Sequence, residues 1–126
     1  MEHAPKSTYD YRPLEHEDSI RLLELLPGAP GAPLTCKIVP GRISEEPVYE
    51  ALSYVWGPQS FPKLITEIKH PADIPISTSL GGALRALRSE DKSRMSWVDA
   101  ICINQHSLQE RGHQVAQMGQ HLSQSY

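Results

Sequence analysis

The sequence predicts a small α/β domain: an open sheet with mostly parallel core strands plus an N-terminal β-hairpin. Three observations carry that expectation. The stretch "WVDAICINQ" (97–105) has apolar residues on both faces of an extended segment, as a strand covered on both sides requires. Helix-patterned segments flank it, giving helix, strand, helix in order. Further upstream, "LTCKIV" (34–39) alternates Leu34, Cys36 and Ile38 against Thr35 and Lys37, the period of a half-buried strand.

Residues 1–17 are polar and read as an arm ahead of the domain. In "SIRLLELLPG" (19–28), Leu22, Leu23, Leu25 and Leu26 fit a turn and a half of helix, but Pro27-Gly28 ends the run early for one. Joined to "LTCKIV" through the turn-rich "PGAPGAP" (27–33), it reads better as one strand of an antiparallel pair. "VYEALSYVWG" (48–57) is strand-like and ends at Gly57-Pro58. "LITEI" (64–68) and "IPIS" (74–77) form a hairpin around Pro71-Ala72-Asp73. A helix follows, with Ser79 placed to cap it and Leu80, Ala83, Leu84 and Leu87 on one face. Gly81 and Gly82 in its first turn suggest close packing or a frayed start. After "WVDAICINQ", Ser107-x-x-Glu110 has the spacing of a capping box, and Leu108, Val115, Met118 and Leu122 supply the apolar stripe of a last helix.

Composition narrows the function classes. Of the 126 residues, 39 % are hydrophobic and 21 % charged, which is globular rather than disordered. The net charge of −3 is mixed along the chain and offers no basic stripe for nucleic acid. No apolar run approaches the ~18 residues of a membrane span, and "MEHAPKSTYDYRPL" lacks a signal-peptide core. Cys36 and Cys102 make no disulfide framework, so a reduced, cytoplasmic protein is expected. The six histidines show no metal-ligand spacing, and no metal is expected. Cys102 lies between Ile101 and Ile103, where a thiol is inert.

Asp99 is the acid that stands out. A carboxylate in so apolar a stretch must be hydrogen-bonded or paired, with Arg85, Arg88 or Arg111 as candidates, or it must face a ligand. Asn104 and Gln105 exit the same stretch, at the edge where open α/β sheets bind ligands, though helix capping explains them equally well. Tyr54 and Trp56, with Ser53 beside them, end another strand and complete a candidate ligand edge: Ser53, Tyr54, Trp56, Asp99, Asn104 and Gln105. Ser107 and Glu110 are assigned to capping.

Four blocks, "YEALSYVWG" (49–57), "LGGALRALR" (80–88), "WVDAICINQ" (97–105) and "ERGHQVAQM" (110–118), stand in an order and spacing that resemble the heterokaryon-incompatibility (HET) domain of filamentous fungi. The resemblance covers roughly residues 11–119. It implies an intracellular module of fungal non-self recognition that triggers cell death when incompatible strains fuse. It also implies a TIR-like, flavodoxin-like doubly wound fold that signals by self-association, with protein partners rather than nucleic acid or membrane. Some TIR domains cleave NAD⁺ with a glutamate past their third strand. This chain has no such region, so Glu110 is not its counterpart, no catalytic residue is assigned, and NAD stays open only as a ligand or substrate. The likeness ends at Gly119, where HET domains continue into a further valine-rich strand. The expected organisation is therefore a 1–17 arm, a partial domain over 18–119 lacking its C-terminal part, and a divergent 120–126 tail.

Overall fold

The computed structural model describes residues 9–52, 63–105 and 107–124, with side chains described as far as Met118. Its centre is the pair of strands expected at the N-terminal end, β1 (Ser19–Leu25) and β2 (Leu34–Arg42), antiparallel with Leu23 opposite Ile38. β3 (Glu50–Ala51), β4 (Lys63–Glu67), β5 (Ala72–Ile76) and β6 (Arg94–Trp97) complete a six-stranded open sheet in the order β3-β6-β1-β2-β4-β5. Helices α1 (Thr78–Leu87), α2 (Asp99–Cys102) and α3 (Leu108–Gln124) accompany it.

The α/β class and the open sheet are as the sequence predicts, but the mostly parallel core is not. β1 pairs antiparallel with both β2 and β6, and β4 antiparallel with β5; only β2–β4 and β3–β6 run parallel. Nor does the hairpin precede the sheet, because β1 and β2 are its middle. Short connections account for the β1–β2 and β4–β5 pairs, as the sequence predicts, and the departure is β6, which lies antiparallel beside β1. A Pro/Gly loop and a turn at residues 68–71 can only send the chain back antiparallel, since a parallel return needs a long crossover.

Position in the middle explains why β1 is buried on both faces. On one face Leu23 and Leu25 pack with Leu34, Cys36, Ile65 and Ile74 beneath Leu80 and Leu84 of α1 and Ile101 of α2. On the other, Ile20 and Leu22 meet Met118 of α3. Each fully buried leucine or isoleucine contributes roughly 1.5–3 kcal/mol.

Several local expectations shift. "WVDAICINQ" is not one strand. β6 ends at Trp97, extended Val98 starts α2, and the amides of Ile101 and Cys102 donate to the Val98 carbonyl. An apolar run on both faces of an extended template is equally the pattern of a short helical turn driven into a core. Ser77, not Ser79, caps α1, its hydroxyl accepting from the Leu80 amide at 3.1 Å. Close packing accounts for one of the two glycines in α1: a Cβ at Gly81 would sit 3.4 Å from Lys63 Cγ, whereas Gly82 faces open space.

The hairpin turn lies earlier than expected, so Ala72 and Asp73 belong to β5. Glu67 causes this. Its side chain is fully buried, and its carboxylate accepts the Ile38 amide at 3.1 Å, the His70 amide at 2.8 Å and the Lys69 amide. Those bonds close the turn just past β4.

Two further segments depart from their patterns. From Tyr9 onward the expected arm is part of the fold: Tyr9 is buried and packs edge-on against Tyr11, ring centres 4.8 Å apart. In α3, Leu108 and Val115 are exposed, 78 % and 62 %, and the inward side instead carries Glu110, Gln114 and Met118. Gln114 faces inward because its amide donates to the Ser19 carbonyl at 2.9 Å. Among the described residues no helix is long and apolar enough to cross a membrane.

The two serines of α1 separate cap from surface. Ser77→Ala should lower unfolding free energy by about 1 kcal/mol in urea titrations, while Ser79→Ala should stay within about 0.5 kcal/mol of the parent.

Candidate functional site

The segment linking α2 to α3, residues 103–107, is where sequence patterns converge. What fixes it comes from β1. Arg21 projects from the central strand and is 5 % exposed. Its guanidinium makes a two-pronged ion pair with Glu110 in the first turn of α3, Nη1 to Oε2 at 2.6 Å and Nη2 to Oε1 at 2.9 Å. Nη1 also donates to the Cys102 carbonyl at 3.2 Å, and Nη2 to the Arg12 carbonyl at 2.7 Å. The Tyr11 ring lies 5.0 Å from the guanidinium carbon, and the Tyr11 hydroxyl donates to the Ile101 carbonyl at 2.6 Å. One cation thereby joins the N-terminal segment, the end of α2 and the start of α3.

Glu110 has a second task. Its Oε2 accepts the Asn104 amide at 2.6 Å, which pulls the linking segment onto the start of α3. The predicted capping box is therefore half correct. Ser107 does cap, its hydroxyl accepting the Glu110 amide at 3.2 Å. The glutamate does not reach back to Ser107, because the buried guanidinium is the stronger partner; the Ser107 amide donates to the Asn104 carbonyl instead. Burial works against an ionised Glu110, but the Arg21 guanidinium and the Asn104 amide outweigh it and hold the carboxyl below its ordinary value.

The predicted ligand-edge residues divide. Asn104 is half-buried, with its backbone spent on Glu110 and Ser107. Gln105 is exposed, and its amide donates to the Asp99 carbonyl at 2.8 Å, closing the loop on itself. Asp99 is half-buried in the first turn of α2. Its carboxylate makes no hydrogen bond or ion pair among the described residues. The proposed arginine partners are engaged elsewhere or exposed: Arg85 and Arg88 hold the 29–33 loop through its carbonyls, and Arg111 is solvated. Ser53, Tyr54 and Trp56 lie outside the described residues.

The Cys102 thiol is buried and pushed up to about 12 by that burial, so it carries no thiolate near neutral pH. Among the described residues no three histidine, cysteine or acidic side chains are grouped to hold a metal ion. The site is a frame, the Arg21–Glu110 pair, that holds a short loop carrying Gln105 against α2, with Asp99 in the first turn of that helix. Sequence reasoning missed Arg21, although it offered a signal: it is the one cation in the leucine-rich segment "SIRLLEL".

Comparison with known proteins agrees with the blocks read from the sequence. The family model described as "Heterokaryon incompatibility protein (HET)" matches residues 49–126. A curated relative from Neurospora crassa, "Heterokaryon incompatibility protein 6, OR allele", is 38 % identical over 111 residues, covering 79 % of this chain and 16 % of its own length. No solved structure matches.

Removing either partner of the buried pair should cost about 3–5 kcal/mol in denaturant unfolding, for Glu110→Gln and Arg21→Ala alike, because each leaves an unmatched polar group inside. The acid dependence has a definite sign. Because folding depresses the Glu110 carboxyl, its stabilisation is fully present above its ordinary value of 4.5 and is lost as the pH falls through the depressed value. Thermal melts between pH 6 and pH 3 should show a steeper fall for the parent than for Glu110→Gln.

Proposed function

The chain belongs to the heterokaryon incompatibility family, and on that premise we propose that it is an association module of fungal non-self recognition that promotes cell death through protein contacts. It spans 16 % of the length of the curated relative it matches, so whatever the remainder of such proteins contributes lies outside this reading.

The observation that carries the proposal is Asp99. Asp99 supports this reading: it is a half-buried carboxylate in the first turn of α2, beside the segment held by the buried ion pair, with no hydrogen bond or ion pair among the described residues, and on our proposal it is the group a partner contacts. Support for association comes also from α3. Leu108 and Val115 are seven residues apart, two helical turns, and so share one exposed face. That face offers apolar contact next to the polar loop of Asn104 and Gln105, the composition of a protein interface more than of a catalytic cleft.

Two measurements test this. Expression in a fungal host should arrest growth, and Asp99→Asn should abolish the arrest while its melting temperature stays within about 2 °C of the parent. The purified chain should form concentration-dependent oligomers in light scattering, which Val115→Asp should shift toward monomer. A strictly monomeric parent, or undiminished arrest by both variants, would overturn the reading. Incubation with NAD⁺ should release no nicotinamide; release abolished by Asp99→Asn would move the proposal from association to hydrolysis.

A further inference from the structure

A second feature lies away from the loop. A cleft of about 480 Å³ runs between the N-terminal segment and the sheet. Arg12–His16 form one wall; the ends of β1 and β2, with Lys69 and His70 of the β4–β5 turn, form the other. Its volume is in the range of small-ligand pockets.

The charges in this cleft are sorted. Two of its cations are already matched, Arg21 by Glu110 and Arg42 by Asp18, whose carboxylate accepts from Arg42 Nε at 2.9 Å. The remaining cations are Arg12 and Lys69. Arg12 Nη2 lies 3.3 Å from His70 Nδ1, so Arg12, Lys69 and His70 gather at the hairpin turn. β4 runs parallel to β2, with Glu67 level with Cys36, which sets that turn beside Ile38. The carboxylates are Glu15 and Glu45. Glu45 follows β2 and so lies beyond Arg42, at the opposite end. Glu15 is three residues past Arg12 along the other wall, in the direction of Ser19, which pairs with Arg42. Four residues of strand, about 13 Å, separate Ile38 from Arg42. Between the poles the sheet side of the lining is Ile38 and Pro40, beside the already paired Arg21.

We propose that this cleft binds a short extended peptide of opposite terminal charges, its carboxylate against Arg12, Lys69 and His70 and its cationic end against Glu15 and Glu45. Four extended residues span about 13 Å, the length of strand from Ile38 to Arg42. The apolar stretch between them suits uncharged side chains, and the two poles fix direction. A simple anion would leave the acidic pole unmatched, and a simple cation the basic one. The peptide touches both walls, so binding also ties the N-terminal segment to the sheet.

The test uses the purified chain and tetra-alanine in two forms, with free termini and with both ends blocked by acetylation and amidation. By NMR titration, the free-ended peptide should bind at least about tenfold more tightly than the blocked one. Lys69→Ala and Glu45→Gln should each weaken that binding by roughly three- to tenfold. Both side chains are exposed, so neither substitution should move the melting temperature. Equal binding of the two peptides, binding of neither at millimolar concentration, or binding indifferent to both substitutions would each overturn the proposal.

Discussion

A guanidinium set in the central strand of a sheet has to be matched on every side. Arg21 is matched by a carboxylate, two backbone carbonyls and an aromatic ring. Taking such a charge out of water costs several kcal/mol, and only a near-complete set of partners repays it. Those partners come from three parts of the chain: the N-terminal segment, the end of α2 and the first turn of α3. Their positions are therefore not independent. α3 turns its polar residues inward because Arg21 and the Ser19 carbonyl need them, and this leaves Leu108 and Val115 facing out. The inward-facing set of the last helix was chosen by a charge on the first strand.

The other buried ion is handled differently. Among the described residues Glu67 has no ion-pair partner; its carboxylate is held by three backbone amides, one from β2 and two from its own turn. Amides that a turn would otherwise leave bare are satisfied by the same group that needs them. The two devices divide the labour. Glu67 fixes one end of the sheet locally, and Arg21 ties distant segments together at the centre.

This division explains what was legible in the sequence. The β1–β2 pair, the β4–β5 hairpin, α1 and α3 all announce themselves through periodicity and turn residues, which act over a few positions. The family could be read from the strings around "SYVWG" and "WVDAICINQ". The antiparallel placement of β6 beside β1 could not, because that pairing is set by contacts between segments distant in the chain. "WVDAICINQ" was ambiguous for a sharper reason: a strand buried on both faces and a helical turn pushed into a core leave the same apolar string. Asp99 drew attention as a lone charge, yet Arg21, which shares "SIRLLEL" with Glu24, is the charge that organises the interior. A single sequence gives both the same prominence and says nothing of which one finds a partner. Half of the expected ligand edge, Ser53, Tyr54 and Trp56, falls outside the described residues, while Asn104 and Gln105 are absorbed into the loop's own bonding.

The ion pair joins residues 89 positions apart. During synthesis Arg21 leaves the ribosome long before Glu110 exists, and the strand that carries it cannot be buried without leaving a bare cation inside. β1 and β2 can meet early as a hairpin, but the sheet cannot seal around them until α3 has emerged. The entropy of closing so long a loop is then met in a single late step rather than shared among earlier ones. A chain built this way assembles slowly and nearly all at once, with its most deeply buried strand waiting in water for its partner.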